Sequence, residues 1–377
     1  MARAQGWGLE FSAMPIDVIV AGHIALDILP DLSSLQPEQV VAAGKVYEIG
    51  PISYSTGGAV SNTGLALHRL GINVGLQALV GDDWVGRAII DYVRSFDPTL
   101  GDHIQIISNA ASPYTIVIEP QDHDRTLLTH TGVYNDYSLE DINLDQVSGC
   151  QLFHLGYPTL LPRLFAADGA NLRKALRAVK EFGVVTSIDM SLPPPDSPSG
   201  RADWRAILGR CLPLIDVFMP SIEEIMFMLR PDDLARWGDR LLDLLSADYL
   251  ARLADELLSM GAGIAGFKLG ERGLFLRGAD DRSRLAFLSS IGQTADDWVG
   301  LQTWHPAFQV DVAGTTGAGD AAYAGLLAAL IRGLKPETCA RMACAVAACN
   351  IEAADATTGV RSWEATEARI AAGWDTH

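Results

Sequence analysis

Basic residues, cysteines and long apolar runs are all scarce in this sequence. The chain of 377 residues carries 28 Lys and Arg against 46 Asp and Glu, a net charge of −18. A nucleic-acid partner is not expected, because polyanion-binding surfaces need a basic face. The charge balance does not exclude a single phosphate site, since the N–H groups at a helix start can bind an anion without any cation.

The cysteines do not indicate a disulfide framework or a zinc site. There are five in a long chain, and an odd count argues against complete pairing. Cys339, Cys344 and Cys349 are spaced five apart, which matches no zinc pattern. We expect small buried side chains in a reducing cytoplasm.

No segment has the length and apolarity of a membrane span, which needs about 18 apolar residues. The longest candidate, 321–331, stops at Arg332. Glu10 and Asp17 interrupt any apolar region of a signal peptide. The sequence therefore predicts a cytoplasmic protein with no membrane partner.

Short apolar runs alternate with amphipathic segments along most of the chain. Strands are predicted at 16–21, 74–80, 151–155, 184–189, 217–219 and 263–269, and helices at 59–70, 167–182, 202–212, 222–229 and 249–260. Strands that alternate with helices favour an α/β fold with a mostly parallel sheet covered on both faces.

Two segments do not fit that alternation. Residues 114–119 and 126–130 flank a short polar turn and predict a β-hairpin, while 29–56 is rich in turns. Together they suggest a small β-rich appendage. Residues 277–306 are irregular, and we expect Trp298 and Trp304 to pack that insertion against the body.

The glycine-rich segments separate into three patterns. No Walker A pattern occurs. Residues 261–266 fit G-x-G-x-x-G, but a helix precedes them and a strand follows, the reverse of a dinucleotide site. We interpret this segment as a helix-to-strand turn.

The segment 314–320, Gly-Thr-Thr-Gly-Ala-Gly-Asp, has the opposite order. A strand predicted at 308–312 leads into it, and a strong helix at 321–332 follows. Such a turn lets the first N–H groups of the helix donate to a phosphate. Asp320 then lies beside the anion site; its alternative role is as a helix cap.

Gly317, Gly319 and Ala322 also fit the looser G-x-G-x-x-A dinucleotide pattern. That fold requires a second strand after the helix, ending in an acidic residue for the ribose. The residues that follow, 337–352, are Ala- and Cys-rich and helical. This disfavours an NAD(P)-dependent oxidoreductase.

From Asp17 to about Gly359 the chain resembles the ribokinase-like (PfkB family) carbohydrate kinases. The block 57–71, Gly-Gly-Ala-Val-Ser-Asn followed by a helix ending in Leu-Gly, is similar to the N-terminal family signature. Residues 315–320 are similar to the C-terminal signature ending in Gly-Ala-Gly-Asp. Weaker matches lie at Gly22 with Asp27, at 81–86 and at 268–273.

The resemblance implies a single ribokinase-like domain over 1–377, a three-layer α/β fold with a mostly parallel sheet and a small β lid. The lid would comprise about 29–56 and 106–132 and would form a homodimer contact. The implied activity is ATP-dependent phosphorylation of a hydroxymethyl group on a sugar or a related small polyol. ATP and Mg²⁺ are the implied cosubstrate and cofactor.

The resemblance also implies roles for individual residues. They are Asp320 as catalytic base; Gly317, Ala318 and Gly319 as anion hole; Asp27, Gly57, Gly58 and Asn62 for the sugar; Lys268, Gly270, Gly273 and Cys344 for the nucleotide; and Glu224 for Mg²⁺ through water. Phosphoryl transfer depends mainly on positioning and charge stabilisation, which such a set supplies.

Three positions depart from the family pattern. Gly314 stands where an Asp commonly helps to bind a monovalent cation, so we expect little K⁺ activation. Ser221 replaces an Asn expected three residues before Glu224, and Cys344 replaces an Asn near the adenine. Packing by Trp298 and Trp304 is a candidate for holding the loop at 314.

Two alternatives besides the oxidoreductase remain open. A nucleoside kinase of the same family would need apolar or aromatic lid residues, and Tyr47, Tyr54 and Tyr114 are available. A non-catalytic sugar-binding relative would account for the changes at Gly314 and Ser221.

Overall fold

A large central sheet and a smaller sheet organise the molecule. The computed structural model describes residues 15–121, 123 and 126–377. In these residues the strands are β1 Val18–Gly22, β2 Ala25–Pro30, β3 Ile52–Gly57, β4 Val74–Gly81, β5 Ile104–Ile107, β6 Tyr114–Ile118, β7 Thr126–His130, β8 Leu152–Gly156, β9 Val185–Asp189, β10 Val217–Phe218, β11 Ile264–Lys268, β12 Leu274–Gly278 and β13 Gln302–His305.

Helices occupy most of the intervening chain. They are α1 Pro37–Val40, α2 Ala59–Arg69, α3 Trp84–Arg94, α4 Leu144–Val147, α5 Pro162–Lys180, α6 Trp204–Cys211, α7 Ile222–Leu229, α8 Pro231–Trp237, α9 Leu241–Leu244, α10 Ala247–Ser259, α11 Ala318–Ile331, α12 Pro336–Asn350 and α13 Trp363–Ala371.

The large sheet has the strand order β13-β12-β11-β10-β9-β8-β1-β4-β5. All neighbours from β11 to β5 pair in parallel, and β12 and β13 add an antiparallel edge. Every residue of β1, β4, β8 and β9 is buried, which explains their continuous apolar runs. The predicted α/β architecture is confirmed.

The small sheet has the order β3-β2-β6-β7. Its strands come from the two segments that did not fit the alternation, and β6 and β7 form the predicted hairpin. The bounds differ from the prediction, since β2 begins at Ala25 and β5 joins the large sheet. Residues 106 and 107 therefore lie outside the small sheet.

The helix α11 is apolar around its whole circumference and is buried from Asp320 to Leu330. It packs between α2 and α12. The helix α12 follows it directly, so the second strand that a dinucleotide fold needs is replaced by a helix. The turn at 261–266 joins α10 to β11, as predicted.

The strand expected at 308–312 is wrong. Phe308 makes an isolated bridge to Thr376, and residues 309–312 form no strand in the part of the chain described. The edge of the sheet is instead β13, which lies within the insertion that looked irregular. Trp298 is completely buried and Trp304 lies in β13, so both pack against the body as expected.

The five cysteines are buried and free, as the sequence indicated. No helix in the described residues is both long and apolar enough to span a membrane. The prediction that a signal peptide is absent concerns mostly residues 1–14, which lie outside the described residues. Residues 122, 124 and 125 of the predicted hairpin turn also lie outside them.

Candidate active site

The candidate site lies at the carboxyl ends of the parallel strands. Gly22, Gly156 and Asp189 stand in register at the ends of β1, β8 and β9. Lys268 ends β11, and three residues separate the end of β10 from the start of α7. Loops at this edge of a parallel sheet form the crevice in which α/β proteins bind ligands.

Asp320 is buried in the first turn of α11 and accepts three side-chain hydrogen bonds. Asn62 Nδ2 donates to Oδ2 at 3.0 Å. Thr63 Oγ1 and Tyr157 OH both donate to Oδ1, at 3.2 and 2.6 Å. The carboxylate is therefore held by α2 and by the turn after β8, and it does not cap its own helix through a side-chain bond.

The start of α11 is shaped by Gly317, which has a left-handed backbone with φ 74°. A Cβ at this position would lie 2.6 Å from the carbonyl oxygen of Ala356, so both conformation and space require glycine. Ala318 N–H turns back to the Thr315 carbonyl at 3.3 Å. The N–H groups of Gly319 and Asp320 remain at the helix start, where an anion would bind.

The loop before α11 is held by the end of α12. The N–H groups of Ala313 and Gly314 donate to the Ile351 carbonyl at 2.8 and 3.3 Å. Asn350 Nδ2 donates to the Thr316 carbonyl at 3.0 Å. Trp298 and Trp304 have other partners, since the Trp304 indole N–H donates to the Arg272 carbonyl and the Trp298 backbone packs beside Gly278. Their proposed packing on the 314 loop stays a prediction.

Lys268 forms a buried ion pair beside the anion site. Its Nζ lies 2.7 Å from both carboxylate oxygens of Asp189. A Cβ on Gly319 would lie 3.2 Å from the same Nζ, so the ammonium borders the start of α11. Burial opposes its charge, but the carboxylates of Asp189 and Glu224 raise the pKa of Lys268 above its usual value, and it stays protonated.

Carboxylates outnumber the ammonium in this region. Burial raises the pKa of Asp189 above its usual value, against the opposing charge of Lys268. Burial also raises the pKa of Glu224, and Asp320 contributes further negative charge to both groups. Additional positive charge here would favour the ionised carboxylates.

Glu224 and Ser221 form a reciprocal cap at the start of α7. Ser221 N–H donates to Glu224 Oε2 at 2.7 Å, and Glu224 N–H donates to Ser221 Oγ at 3.2 Å. The serine that departs from the family pattern thus orients the carboxylate. Within the described ranges no three His, Cys, Asp or Glu side chains are grouped to bind a metal directly.

A cavity of about 440 Å³ opens beside Lys268 and the start of α11. Its walls include all four predicted nucleotide residues, Lys268, Gly270, Gly273 and Cys344. The remaining walls are mainly apolar, and they include Leu274, Phe308, Val310 and Ile351. Its size and composition suit a small molecule with one flat apolar part and one charged end.

On the other side of Asp320 lie the residues predicted for the sugar. Gly58 begins α2, one turn before Asn62, and a Cβ on Gly58 would lie 2.6 Å from His23 Nδ1. The Asp27 carboxylate on β2 packs directly over Gly57. Gly57, Gly58 and Asn62 thus lie at or just before the start of α2, the helix that contacts Asp320. Asp27 lies against Gly57.

Sequence reasoning missed Thr63, Tyr157, Asp189 and His23. Each had a usable signal, because Thr63 follows Asn62 and the other three end or follow predicted parallel strands. Polar residues at those strand ends converge on one edge of the sheet. Burial lowers the pKa of His23 to about 4, so its ring is neutral at pH 7.

Comparison with known proteins gives relatives along nearly the whole chain. An uncharacterized sugar kinase of Archaeoglobus fulgidus is 27% identical over 297 residues, which cover 78% of this chain and 98% of that protein. A nucleoside kinase of Methanothermobacter thermautotrophicus is 22% identical over 361 residues, covering 95% and 96%.

A solved structure shares the fold. Arabidopsis thaliana ribokinase complexed with ribose and ATP superposes with a TM-score of 0.68 at 17% identity, covering 94% of this chain and 98% of the ribokinase. The sequence model of the pfkB family carbohydrate kinases matches residues 17–363. The chain therefore belongs to the pfkB family of carbohydrate kinases.

Proposed function

We propose that the protein transfers the γ-phosphoryl group of ATP to a hydroxymethyl group of a sugar or a related small polyol. As a pfkB family member it is a phosphotransferase with an alcohol acceptor. The observation that carries the proposal is the position of Asp320. Its carboxylate lies at the start of α11, near the 440 Å³ cavity on one side and near Asn62 and Gly58 on the other.

The chemistry follows from this arrangement. The oxygen of the substrate hydroxyl bonds to the γ-phosphorus while Asp320 accepts the proton of that hydroxyl. The bond from the γ-phosphorus to the β–γ bridging oxygen breaks, and ADP leaves. The N–H groups that begin α11 and the ammonium of Lys268 face the transferred phosphoryl oxygens. They offset the negative charge that spreads over those oxygens in the transition state.

A polar row on the small sheet favours a sugar over a nucleoside. Ser55, Asp27, Thr115 and Thr129 stand opposite one another across its four strands, and Thr115 and Thr129 hydroxyls are 3.3 Å apart. Side chains in one register row share a face, here the face on which Asp27 meets Gly57. Hydroxyls and a carboxylate suit a polyol, whereas a base would need an aromatic or apolar wall.

Mg²⁺ fits the charge of the site. Three carboxylates, from Asp189, Glu224 and Asp320, face one ammonium, and burial raises the pKa of the first two. Glu224 would hold the ion through water, since Mg²⁺ usually keeps several waters and binds few protein carboxylates. When bound, the ion would neutralise charge on the β- and γ-phosphate oxygens.

We further propose that the chain is one kinase domain whose small sheet is the lid and the homodimer contact. The face opposite the polar row carries Ile52, Tyr54 and Leu128, and these residues are 66%, 58% and 54% exposed. Such an apolar face is typical of an interface. Leu128→Lys should convert a dimer to a monomer in sedimentation velocity, while a monomeric wild type would contradict this contact.

A cytoplasmic location agrees with the five free, buried thiols. Disulfides persist mainly in oxidising compartments, and the described structure of this chain uses none.

The decisive experiment is a panel of pentoses, hexoses, polyols and nucleosides assayed for ADP formation with Mg²⁺ and ATP. We expect turnover with an acceptor that has a free hydroxymethyl group. A higher kcat/KM with a nucleoside would favour the nucleoside kinase alternative. Calorimetric binding of a sugar without ADP formation at any acceptor would favour the non-catalytic alternative.

A further inference from the structure

The two oxygens of the Asp320 carboxylate have different surroundings. Oδ1 accepts from both Tyr157 and Thr63, whereas among the residues that the structure describes Oδ2 accepts from Asn62 alone. A carboxylate oxygen has two lone pairs, so protein donors already occupy both directions at Oδ1. Oδ2 keeps one direction for another donor.

The position of Tyr157 depends on how β8 ends. Gly156, the last residue of β8, is packed so tightly against Ala59 of α2 that a side chain there would overlap it. Pro158 follows and begins a short turn, and Tyr157 has an extended backbone between them. The phenol is thereby directed across the strand ends to Asp320, 163 residues away along the chain.

The phenol can only donate to the carboxylate. Burial, followed by the charges of Asp320 and Asp189, raises the pKa of Tyr157 well above its usual value. The other charged groups nearby are Glu224, which adds to that effect, and Lys268, which pairs with Asp189. Because the hydroxyl keeps its proton, it does not compete with Asp320 for the proton of the substrate.

We propose that Tyr157 is a positioning residue that occupies Oδ1 of Asp320 and directs the substrate hydroxyl to Oδ2. This inference rests on the proposed function. The acceptor hydroxyl donates to Oδ2 and its proton moves there while its oxygen bonds to phosphorus. Asn62, which holds Oδ2 from the sugar side, and Tyr157 together fix the plane of the carboxylate.

The test is Tyr157→Phe, which keeps the ring and removes one donor to a charged acceptor. We expect kcat to fall roughly tenfold or more. The KM for ATP should change little, because Tyr157 is not among the residues that line the cavity. The acid limb of the kcat/KM profile should move up by about one pH unit, since losing a donor favours the neutral carboxyl.

The matched control is Tyr249→Phe. Tyr249 OH also donates to a carboxylate, Asp233 Oδ2 at 2.9 Å, on the helices α10 and α8 away from Asp320. This variant should keep the wild-type rate and pH profile. Thermal unfolding of both variants checks that each one is folded.

The outcomes separate the two proposals. If the wild type forms ADP and Tyr157→Phe keeps both its kcat and its acid limb, the role of Tyr157 is overturned and the proposed function stands. If the wild type forms no ADP with any acceptor, the proposed function fails and the role of Tyr157 falls with it. A lower kcat with an unmoved acid limb also overturns the role.

Discussion

At the scale of single residues, the proposed catalytic base Asp320 gives the first prediction. Asp320→Asn keeps the size of the side chain and removes the proton acceptor, so kcat should fall by about 10²–10⁴-fold. The affinity for ATP, measured by calorimetry, should change little. Asp233→Asn is the matched control, because that carboxylate also accepts from a tyrosine. A variant at 320 with more than half of the wild-type turnover would show that another group is the base.

The second prediction at this scale concerns Lys268. Lys268→Met leaves Asp189 buried without its partner, which typically costs about 3–5 kcal/mol in the free energy of unfolding. The kcat/KM for ATP should also fall, because the ammonium borders the anion site. Denaturant unfolding and steady-state rates measure the two effects.

Lys180→Met separates those effects. Lys180 Nζ pairs with the buried Asp216 at 2.6 Å, on a side of the sheet that does not line the cavity. This variant should lose stability and keep kcat/KM. If Lys268→Met behaves in the same way, the Lys268 ammonium has a structural role alone.

At the scale of elements, the geometry of the loop before α11 leads to a prediction about K⁺. Gly314 lies against the end of α12, and a Cβ there would come 2.8 Å from the Ala354 carbonyl oxygen. An aspartate would not fit without a shift of that backbone, and glycine supplies no charge to a cation. Replacing K⁺ by a bulky organic cation at fixed ionic strength and Mg²⁺ should change the initial rate less than twofold. A tenfold drop would show that carbonyl groups alone bind the cation.

At the scale of the whole molecule, buried histidine links stability to pH. Burial, and then the charge of Lys268, lowers the pKa of His154 to about 3 from 6.5. Below pH 6.5 the unfolded chain binds a proton that the folded state does not, so stability is lost as pH falls from about 6.5 towards 3. The slope is about 1.4 kcal/mol per pH unit.

The measurement is a comparison with His154→Gln across that pH range. Stability of the variant should depend less on pH, and the difference between the two proteins should narrow as pH falls. The buried Asp189 contributes with the opposite sign, because its raised pKa favours the folded state as pH falls. That contribution is present in both proteins and cancels in the difference. Parallel stability curves would contradict a neutral His154.

Much of the fold could be predicted from local patterns. The buried runs that became β1, β4, β8 and β9, the helix α7 and the β6–β7 hairpin follow from periodicity and turn residues, which act over a few neighbours. The prediction of a strand at 308–312 is wrong. A strand needs a neighbouring strand as its hydrogen-bond partner, and these residues border the cavity instead.

The sequence by itself determined the glycine turn and the helix start that carry Asp320, because short-range backbone geometry decides where an anion can bind. It also determined that Gly58 and Asn62 lie within one turn of α2. Only the tertiary structure decided which side chains meet the carboxylate. Tyr157 and Thr63 reach Asp320 across 163 and 257 residues, and Lys268 meets Asp189 across 79. Such contacts depend on strand order and register, which no local pattern of residues specifies.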